Sequence, residues 1–325
     1  MNKNRRMLAL ILSMLVLFST CGAMFAEAPN LTDEELAAID LALQDENKDV
    51  PVQEGFRIQV SPDDLSVTEG LDENWMNILL LGTDTGSIQL NYGRTDTMII
   101  LSVNKVTGKM KLASLVRDMK VDLPIYNRPA KINAANAYGG PLLAVKTVNE
   151  TFGLNIRHYV SINFKGFKNV IDQLGGVELL LNGSESKIVG VRHLDEPQLL
   201  NGEQALEYVR IRMLDNNFGR NERQRKLLNS LFNKILKGSN MQQAMEALTE
   251  AIQHMATNLS INDLLSLVIP VFTGMEQMDT IGFPAEGDYR YQYEEPLASA
   301  VVFKLEETKQ KLHDYIYQGI TQNNP

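Results

Sequence analysis

The chain has 325 residues, of which 44% are apolar and 22% are charged, and its formal net charge is −9. This composition is ordinary for a soluble globular body with room for one large domain or two small ones. The only cysteine, Cys21, lies near the amino terminus, which excludes disulfide bonds and thiol catalysis in the rest of the chain.

Residues 1–28 form the first predicted unit, a basic tip followed by an apolar run. Three basic residues precede a run from Met7 to about Ala26, which is long enough to span a bilayer once or to form the core of a signal peptide. Basic residues on the amino side keep that end in the cytoplasm. We therefore predict a single-pass membrane anchor with everything after it extracytoplasmic. The alternative is cleavage at Ala26-Glu27-Ala28, which would release a secreted protein.

Residues 29–74 form the second predicted unit, an acidic linker. Between residues 30 and 74, thirteen acidic side chains stand against two basic ones, a net charge of −11. Residues 1–29 contribute +2, so residues 75–325 have no net charge. The acidity of the chain therefore belongs to a solvated stalk, and the predicted main domain, residues 75–320, does not repel anions as a whole.

Strands and helices alternate along the predicted main domain. Near-continuous apolar runs predict strands at 76–82, 96–104, 109–117, 157–163 and 177–181, the second and third joined as a hairpin by a Thr-Gly turn. Helical spacing and capping residues predict helices at 139–153 and 164–174, from Asn201 to about Tyr208, and from about Asn221 onward. Two or three more helices are predicted between 240 and 272, then an edge strand at 278–284 and a closing helix at 297–319. This alternation predicts an α/β sandwich.

Polar side chains are concentrated where the first three strands begin or end. They are Asp84, Arg94, Asp96, Arg117 and Asp118, followed by Lys131, Asn133 and Asn136 in the next loop. Taken singly, each is explained by a local turn, a cap or a surface pair. Taken together, they fit the rule that open α/β sheets bind ligands at strand ends. Two carboxylates with oxygen ligands only suit a hard cation such as Mg²⁺ rather than zinc.

The stretch EYVRIRMLDNNFGRNERQR, residues 207–225, contains five arginines. If the first helix ends near Tyr208, Arg210 and Arg212 continue in an extended segment and point to one side. Arg220, Arg223 and Gln224 then share one face near the start of the next helix, an end that attracts anions. An alternative places Arg223 towards solvent with Arg225. Forked guanidinium groups predict binding of phosphate or carboxylate oxygens.

Several common chemistries are excluded by the sequence. It contains no P-loop, no Gly-x-Ser-x-Gly elbow and no histidine cluster with metal-ligand spacing. It also contains no basic recognition helix or other nucleic-acid module, so nucleic acid is not an expected partner.

Seven segments, in order, resemble the LytR–CpsA–Psr family of cell-envelope proteins. They are NILLLGTDTG, GRTDTMIILSVN, LASLVRDMKVDLP, KINAANAYGG, GFKNVIDQLGGVEL, LNGEQALEYVRIR and FGRNERQRKLL. The resemblance implies an α/β/α sandwich with a central mixed sheet that holds a polyprenyl phosphate or pyrophosphate lipid. It implies Mg²⁺ at Asp84 and Asp96, catalysis by these aspartates with Arg117, and pyrophosphate binding by Arg94, Arg117, Lys131, Arg210, Arg212, Arg220 and Gln224.

The reaction that this resemblance implies is transfer of a glycopolymer, such as teichoic acid or capsule, onto peptidoglycan. A sugar hydroxyl attacks the phosphorus next to the glycan, polyprenyl phosphate leaves and a phosphodiester forms. Asp84 or Asp96 is the general base. Two alternatives stay open: a pyrophosphatase whose acceptor is water, and a non-catalytic lipid-binding or regulatory envelope protein. Residues 182–199 form a shorter insert than family members often carry, which leaves the acceptor preference open.

Overall fold

The structure is a computed structural model that describes residues 58–83, 93–124, 128–192, 194–214, 217–238, 251–274, 278–293, 297 and 299–318. The predicted membrane segment, residues 1–28, and most of the linker lie outside these ranges. Within them, no helix has both the length and the apolar character needed to cross a bilayer.

A mixed six-stranded sheet forms the centre of the domain. Its strands are β1 (Trp75–Thr83), β2 (Thr95–Asn104), β3 (Met110–Leu115), β6 (His158–Asn163), β9 (Met255–Thr257) and β10 (Asp279–Phe283), in the spatial order β10-β3-β2-β1-β6-β9. Neighbouring pairs are antiparallel except β1 with β6 and β3 with β10, which are parallel. The predicted hairpin of β2 and β3 and the predicted edge strand β10 are therefore confirmed.

In the part of the chain that the structure describes, three small sheets and seven helices surround the central sheet. The small sheets pair β4 (Lys120–Leu123) with β5 (Arg128–Lys131), β7 (Val177–Leu179) with β8 (Gln198–Leu200), and β11 (Tyr289–Tyr291) with β12 (Val301–Phe303). The helices are α1 (Ala134–Phe152), α2 (Phe164–Gln173), α3 (Gly183–Val189), α4 (Gly202–Arg210), α5 (Asn217–Gly238), α6 (Ile261–Gly274) and α7 (Leu305–His313), the last followed by a π-helical turn (Asp314–Gln318).

Successive side chains of the central strands point to opposite sides, so both faces of the sheet are apolar. Helices cover both faces. On one face, Leu79 of β1 packs in a cluster with Val145 of α1 and with residues of α7. On the other face, Ile78 packs with Leu267 and Val271 of α6 and with the apolar side of α5. The α/β class with a mixed central sheet is thereby confirmed.

Two predicted helical segments are strands instead. Met255–Thr257 pairs with β6 at one edge of the sheet, and Val301–Phe303 pairs with β11. The predicted closing helix begins only at Leu305. In both segments long-range pairing overrides a local apolar pattern that also fits a helix, and Val301 and Val302 carry branched side chains that favour a strand.

The folded domain extends upstream of the predicted boundary at residue 75. Ile58 and Leu65, in the predicted linker, are buried in the main core at 4% and 3% exposure. The amide of Ile58 donates to the carbonyl of Tyr138 at 2.9 Å, and that of Thr68 to Leu154 at 2.9 Å. Residues 58–74 therefore pack against α1 and the loop that follows it.

Lys111 of β3 ties the carboxyl-terminal turn to the sheet from inside the core. Its Nζ donates to the carbonyl oxygens of Tyr315 and Ile316, the second at 2.8 Å, and lies 4.4 Å from the centre of the Trp75 ring. Burial, reinforced by the charge of Lys109, lowers the pKa of Lys111 to about 8. The neutral amine retains two N–H donors, enough for both carbonyls.

The stability of the wild type relative to Lys111→Met is expected to rise with pH between about 8 and 10.5. Over this window the folded protein has released the Lys111 proton and the unfolded chain still holds it, so the free energy of unfolding increases with pH. Thermal unfolding of both proteins at about pH 7.5 and about pH 9.5 measures the difference. A difference that stays constant with pH would contradict the lowered pKa.

Candidate active site

The candidate active site lies at one end of the central strands, where β1, β3 and β6 end and β2 begins. Asp96 is the second residue of β2, and Arg117 follows the end of β3. Oδ1 of Asp96 accepts a hydrogen bond from Nη1 of Arg117. Nη2 of Arg212 lies 3.2 and 3.1 Å from the two carboxylate oxygens of Asp96. Three side chains predicted for the site, distant in sequence, are therefore in direct contact.

A second carboxylate orients Arg117 from the opposite side. Oδ2 of Asp118 lies 3.4 Å from Nε of Arg117 and accepts a hydrogen bond of 2.6 Å from Nδ2 of Asn217. Asp118 is 7% exposed, and Asn217 is the first residue of α5. From the sequence, Asp118 is singled out but has no predicted role in the site, and Asn217 is not predicted. The spacing of these two residues in the sequence does not indicate that their side chains meet.

Arg220 is the most unusual charged side chain of the site. It is 2% exposed, and within the described ranges none of its three side-chain nitrogens has a hydrogen-bond partner. Burial, with the nearby positive charge of Arg117, lowers the pKa of Arg220 to about 10. One helical turn later, the buried Oε1 of Gln224 is also without a partner in the described chain. A buried guanidinium ordinarily pairs with an anion, so this arrangement is suited to receive one.

A large apolar cavity opens beside these polar groups. Its volume is about 380 Å³, and aliphatic and aromatic side chains from β1, β2, β6, α2 and α4 to α6 line most of its wall. The polar lining consists of Asp96, Thr97, Asn163, Arg210, Arg212, Arg220, Gln224 and Thr257. The site therefore has the chemistry needed for an amphiphile with an apolar chain and an anionic head.

The remaining predicted arginines, Arg210 and Arg94, contact different aromatic side chains. Arg210 lines the cavity with its guanidinium 4.6 Å from the centre of the Phe164 ring. It is the last residue of α4, so this helix ends two residues later than predicted, and Val209 and Ile211 are buried. Arg94 donates to the hydroxyl of Tyr138, whose pKa burial raises against the opposing effect of that arginine.

Arg94, Arg117 and Lys131, all predicted for the site, do not line the cavity. Lys131 is the last residue of β5 and is half-buried, and it does not line the cavity. It lies two residues before Asn133, whose amide donates to the Arg117 carbonyl at 3.2 Å. Asp84 falls outside the described residues, so its predicted role stays a prediction.

Arg223 differs from both expectations. It is 4% exposed, and Nη2 donates to the carbonyl of Ile211 at 2.7 Å instead of lining the cavity. The alternative with Arg223 and Arg225 facing solvent is wrong, because Nη1 of Arg225 donates to Oγ of Ser114 and burial lowers the pKa of Arg225. The helix α5 also begins earlier than predicted, at Asn217, so Arg220 is its fourth residue.

Relatives with assigned names match most of the chain. "Polyisoprenyl-teichoic acid--peptidoglycan teichoic acid transferase TagU" of Enterococcus faecalis is 36% identical over 224 residues, covering 65% of this chain and 72% of that protein. The enzyme named TagV of Bacillus subtilis is 31% identical over 261 residues, 74% of this chain and 65% of that protein.

Solved structures agree with the sequence relatives. The structure titled "TagT bound to LIIa-WTA" has a TM-score of 0.62 at 26% identity and covers 79% of this chain and 96% of that one. The crystal structure of Bacillus subtilis TagV has a TM-score of 0.62 at 27% identity, covering 76% and 98%. The model of the LytR_cpsA_psr family matches residues 36–311. The chain therefore belongs to the LytR–CpsA–Psr family.

Proposed function

We propose that this protein is a phosphotransferase that moves a glycopolymer from a polyprenyl-pyrophosphate carrier onto peptidoglycan. The observation that carries the proposal is the junction of the apolar cavity with the buried guanidinium of Arg220, which has no hydrogen-bond partner among the described residues. A long isoprenoid chain fits the apolar lining, and its pyrophosphate then meets the arginines at the cavity mouth. The names of the relatives point to teichoic acid as the glycopolymer.

The arginines supply the electrostatic part of this reaction. As the peptidoglycan hydroxyl attacks the phosphorus next to the glycan, negative charge spreads over the phosphoryl oxygens and the departing polyprenyl phosphate. Before the substrate arrives, hydrogen bonds hold Arg117 and Arg212 on Asp96, and burial holds Arg220 near them. Preorganised donors in a water-poor site stabilise such charge most effectively.

We further propose that Mg²⁺ binds at Asp96. Within the described ranges, no three His, Cys, Asp or Glu side chains group together, so protein ligands alone do not complete a coordination sphere. Mg²⁺ commonly takes one or two carboxylates and completes its shell with substrate phosphates and water. Asp96 fits that pattern, Asp84 is the second carboxylate predicted from the sequence, and the ion would offset charge on the phosphoryl oxygens.

The extracytoplasmic location of this reaction is part of the proposal. Peptidoglycan and polyprenyl-linked glycans lie at the outer face of the cell membrane, and residues 1–28 have the basic and apolar pattern of a segment that places the domain there. Either an uncleaved anchor or a cleaved signal agrees with this location.

Transfer is tested with the full chain, a polyprenyl-pyrophosphate-linked glycan, Mg²⁺ and peptidoglycan fragments, followed by mass spectrometry. We expect a glycan-phosphate–peptidoglycan adduct from the wild type and from Lys226→Ala, an exposed cation of α5. Arg117→Ala is expected to lower the rate at least about a hundredfold. Release of polyprenyl phosphate without an adduct would indicate a pyrophosphatase. Tight lipid binding without turnover would indicate a regulatory protein.

Filling the cavity is expected to weaken binding of a prenyl pyrophosphate and to leave binding of inorganic pyrophosphate unchanged. Leu228 lines the cavity and is only partly buried, so Leu228→Trp adds volume inside the cavity with a small effect on folding. We expect it to weaken binding of a long-chain prenyl pyrophosphate about tenfold or more, while inorganic pyrophosphate binds as before. Calorimetric titration of both ligands measures this. An equal loss for both ligands would contradict the assignment of the cavity to the lipid chain.

A further inference from the structure

Arg223 is a buried cation that the proposed reaction does not use. It lies on α5 between Arg220 and Gln224 in sequence, yet it does not line the cavity. Its Nη2 donates to the carbonyl oxygen of Ile211 at 2.7 Å, and the residue is 4% exposed. A buried arginine whose hydrogen bond holds a backbone carbonyl fixes the path of that backbone.

The carbonyl that Arg223 holds is at the point where the chain leaves α4. Ile211 caps this helix with φ −53° and ψ 122°, so the backbone changes there from helical to extended. The last carbonyls of a helix have no partner within it and need donors from elsewhere. Ile211 also separates Arg210 from Arg212, so a bond to its carbonyl sets the direction in which both arginines leave the backbone.

Glu185 balances the charge of Arg223. Its Oε1 lies 3.9 Å from Nη1 of Arg223, and the two side chains are 7% and 5% exposed. Its Oε2 accepts from the amide of Asn182 at 3.0 Å in the capping box of α3, so the carboxylate is fixed on both sides. Since a buried charge requires a compensating partner, Glu185 and Arg223 depend on each other.

We propose that Arg223 is a positioning residue which, held by Glu185, fixes the Arg210–Arg212 segment so that Arg212 reaches Asp96 and the anion. Glu185 belongs to the insert at residues 182–199, so Arg223 links this insert to the segment that carries Arg210 and Arg212. The identity of the anion rests on the proposed function, and the positioning of the segment does not.

Hydrogen exchange of the full chain tests the positioning without any ligand. Arg223→Met is expected to speed exchange of the backbone amides at 209–212 about tenfold or more, since the segment loses its anchor. Arg225→Met is the matched control, because it removes a partly buried guanidinium of α5 that contacts Ser114 instead. Equal exchange in the two variants would overturn the proposal. Glu185→Gln is expected to give an intermediate increase.

Binding of geranylgeranyl pyrophosphate tests whether positioning affects the site. Arg223→Met is expected to weaken binding about tenfold, with binding of geranylgeraniol unchanged. In an Arg212→Ala background the same substitution is expected to cost much less, because its effect passes through Arg212. Losses that add in full would overturn the proposal. If the wild type binds the alcohol and the pyrophosphate equally, the proposed function fails, and the exchange result still decides the role of Arg223.

Discussion

Replacing Arg220 with methionine is expected to abolish transfer and at the same time to raise the melting temperature. The guanidinium is 2% exposed, and its nitrogens are without partners in the described chain, so the folded protein carries an uncompensated desolvation cost. Methionine has similar length without the charge, and removing the charge is expected to stabilise the fold by about 1–4 kcal/mol. This corresponds to a rise of roughly a few degrees in Tm.

The loss of activity from Arg220→Met is expected to reach about a thousandfold, because a buried cation next to a reacting phosphate acts at low dielectric. Thermal unfolding with and without a prenyl pyrophosphate measures both effects. The ligand is expected to stabilise the wild type much more than the variant. Lys226→Met, an exposed cation of the same helix, serves as the control. A variant that unfolds at lower temperature and still transfers would show that Arg220 is a structural residue.

The strands that build the site were predictable because their local pattern and their environment agree. The apolar run of β1 is covered on both faces, and the Thr-Gly turn leaves the partner strands β2 and β3 only one register. Because β2 and β3 are antiparallel, Asp96 at the start of β2 and Arg117 after the end of β3 lie at the same end of the sheet, where ligand sites are expected. The arginine-rich stretch predicted Arg212, Arg220 and Gln224 as anion-binding residues, and the resemblance to the family identified the anion as a pyrophosphate.

The contacts that depend on side-chain direction were not predictable. Periodicity places Arg223 beside Gln224, but only the packed α3 and the end of α4 decide that its guanidinium turns to Ile211. The cavity was not predictable for a similar reason. Its wall combines residues from strands and helices that are remote in sequence, each of which alone is indistinguishable from an ordinary core residue. Met255–Thr257 is a strand because β6 offers a free edge, a circumstance absent from its own sequence.

Asp96→Asn is expected to separate catalysis from binding. In the free protein the Asp96 carboxylate accepts hydrogen bonds from Arg117 and Arg212. The proposed pyrophosphate would bind the same two guanidinium groups. A neutral amide releases their charge, so without Mg²⁺ the variant is expected to bind geranylgeranyl pyrophosphate at least as tightly as the wild type. Its turnover is expected to fall about a thousandfold, because the general base or metal ligand is gone.

Titration of the lipid with and without Mg²⁺, combined with single-turnover kinetics, distinguishes the two roles of Asp96. If it holds the ion, Mg²⁺ strengthens lipid binding in the wild type and not in Asp96→Asn. If it acts only as a base, Mg²⁺ affects both proteins alike and the rate alone falls. Asp288→Asn is the matched control, since Asp288 is a buried carboxylate paired with Lys311 outside the cavity lining. Weaker lipid binding by Asp96→Asn in the absence of Mg²⁺ would contradict the competition between carboxylate and pyrophosphate for Arg117 and Arg212.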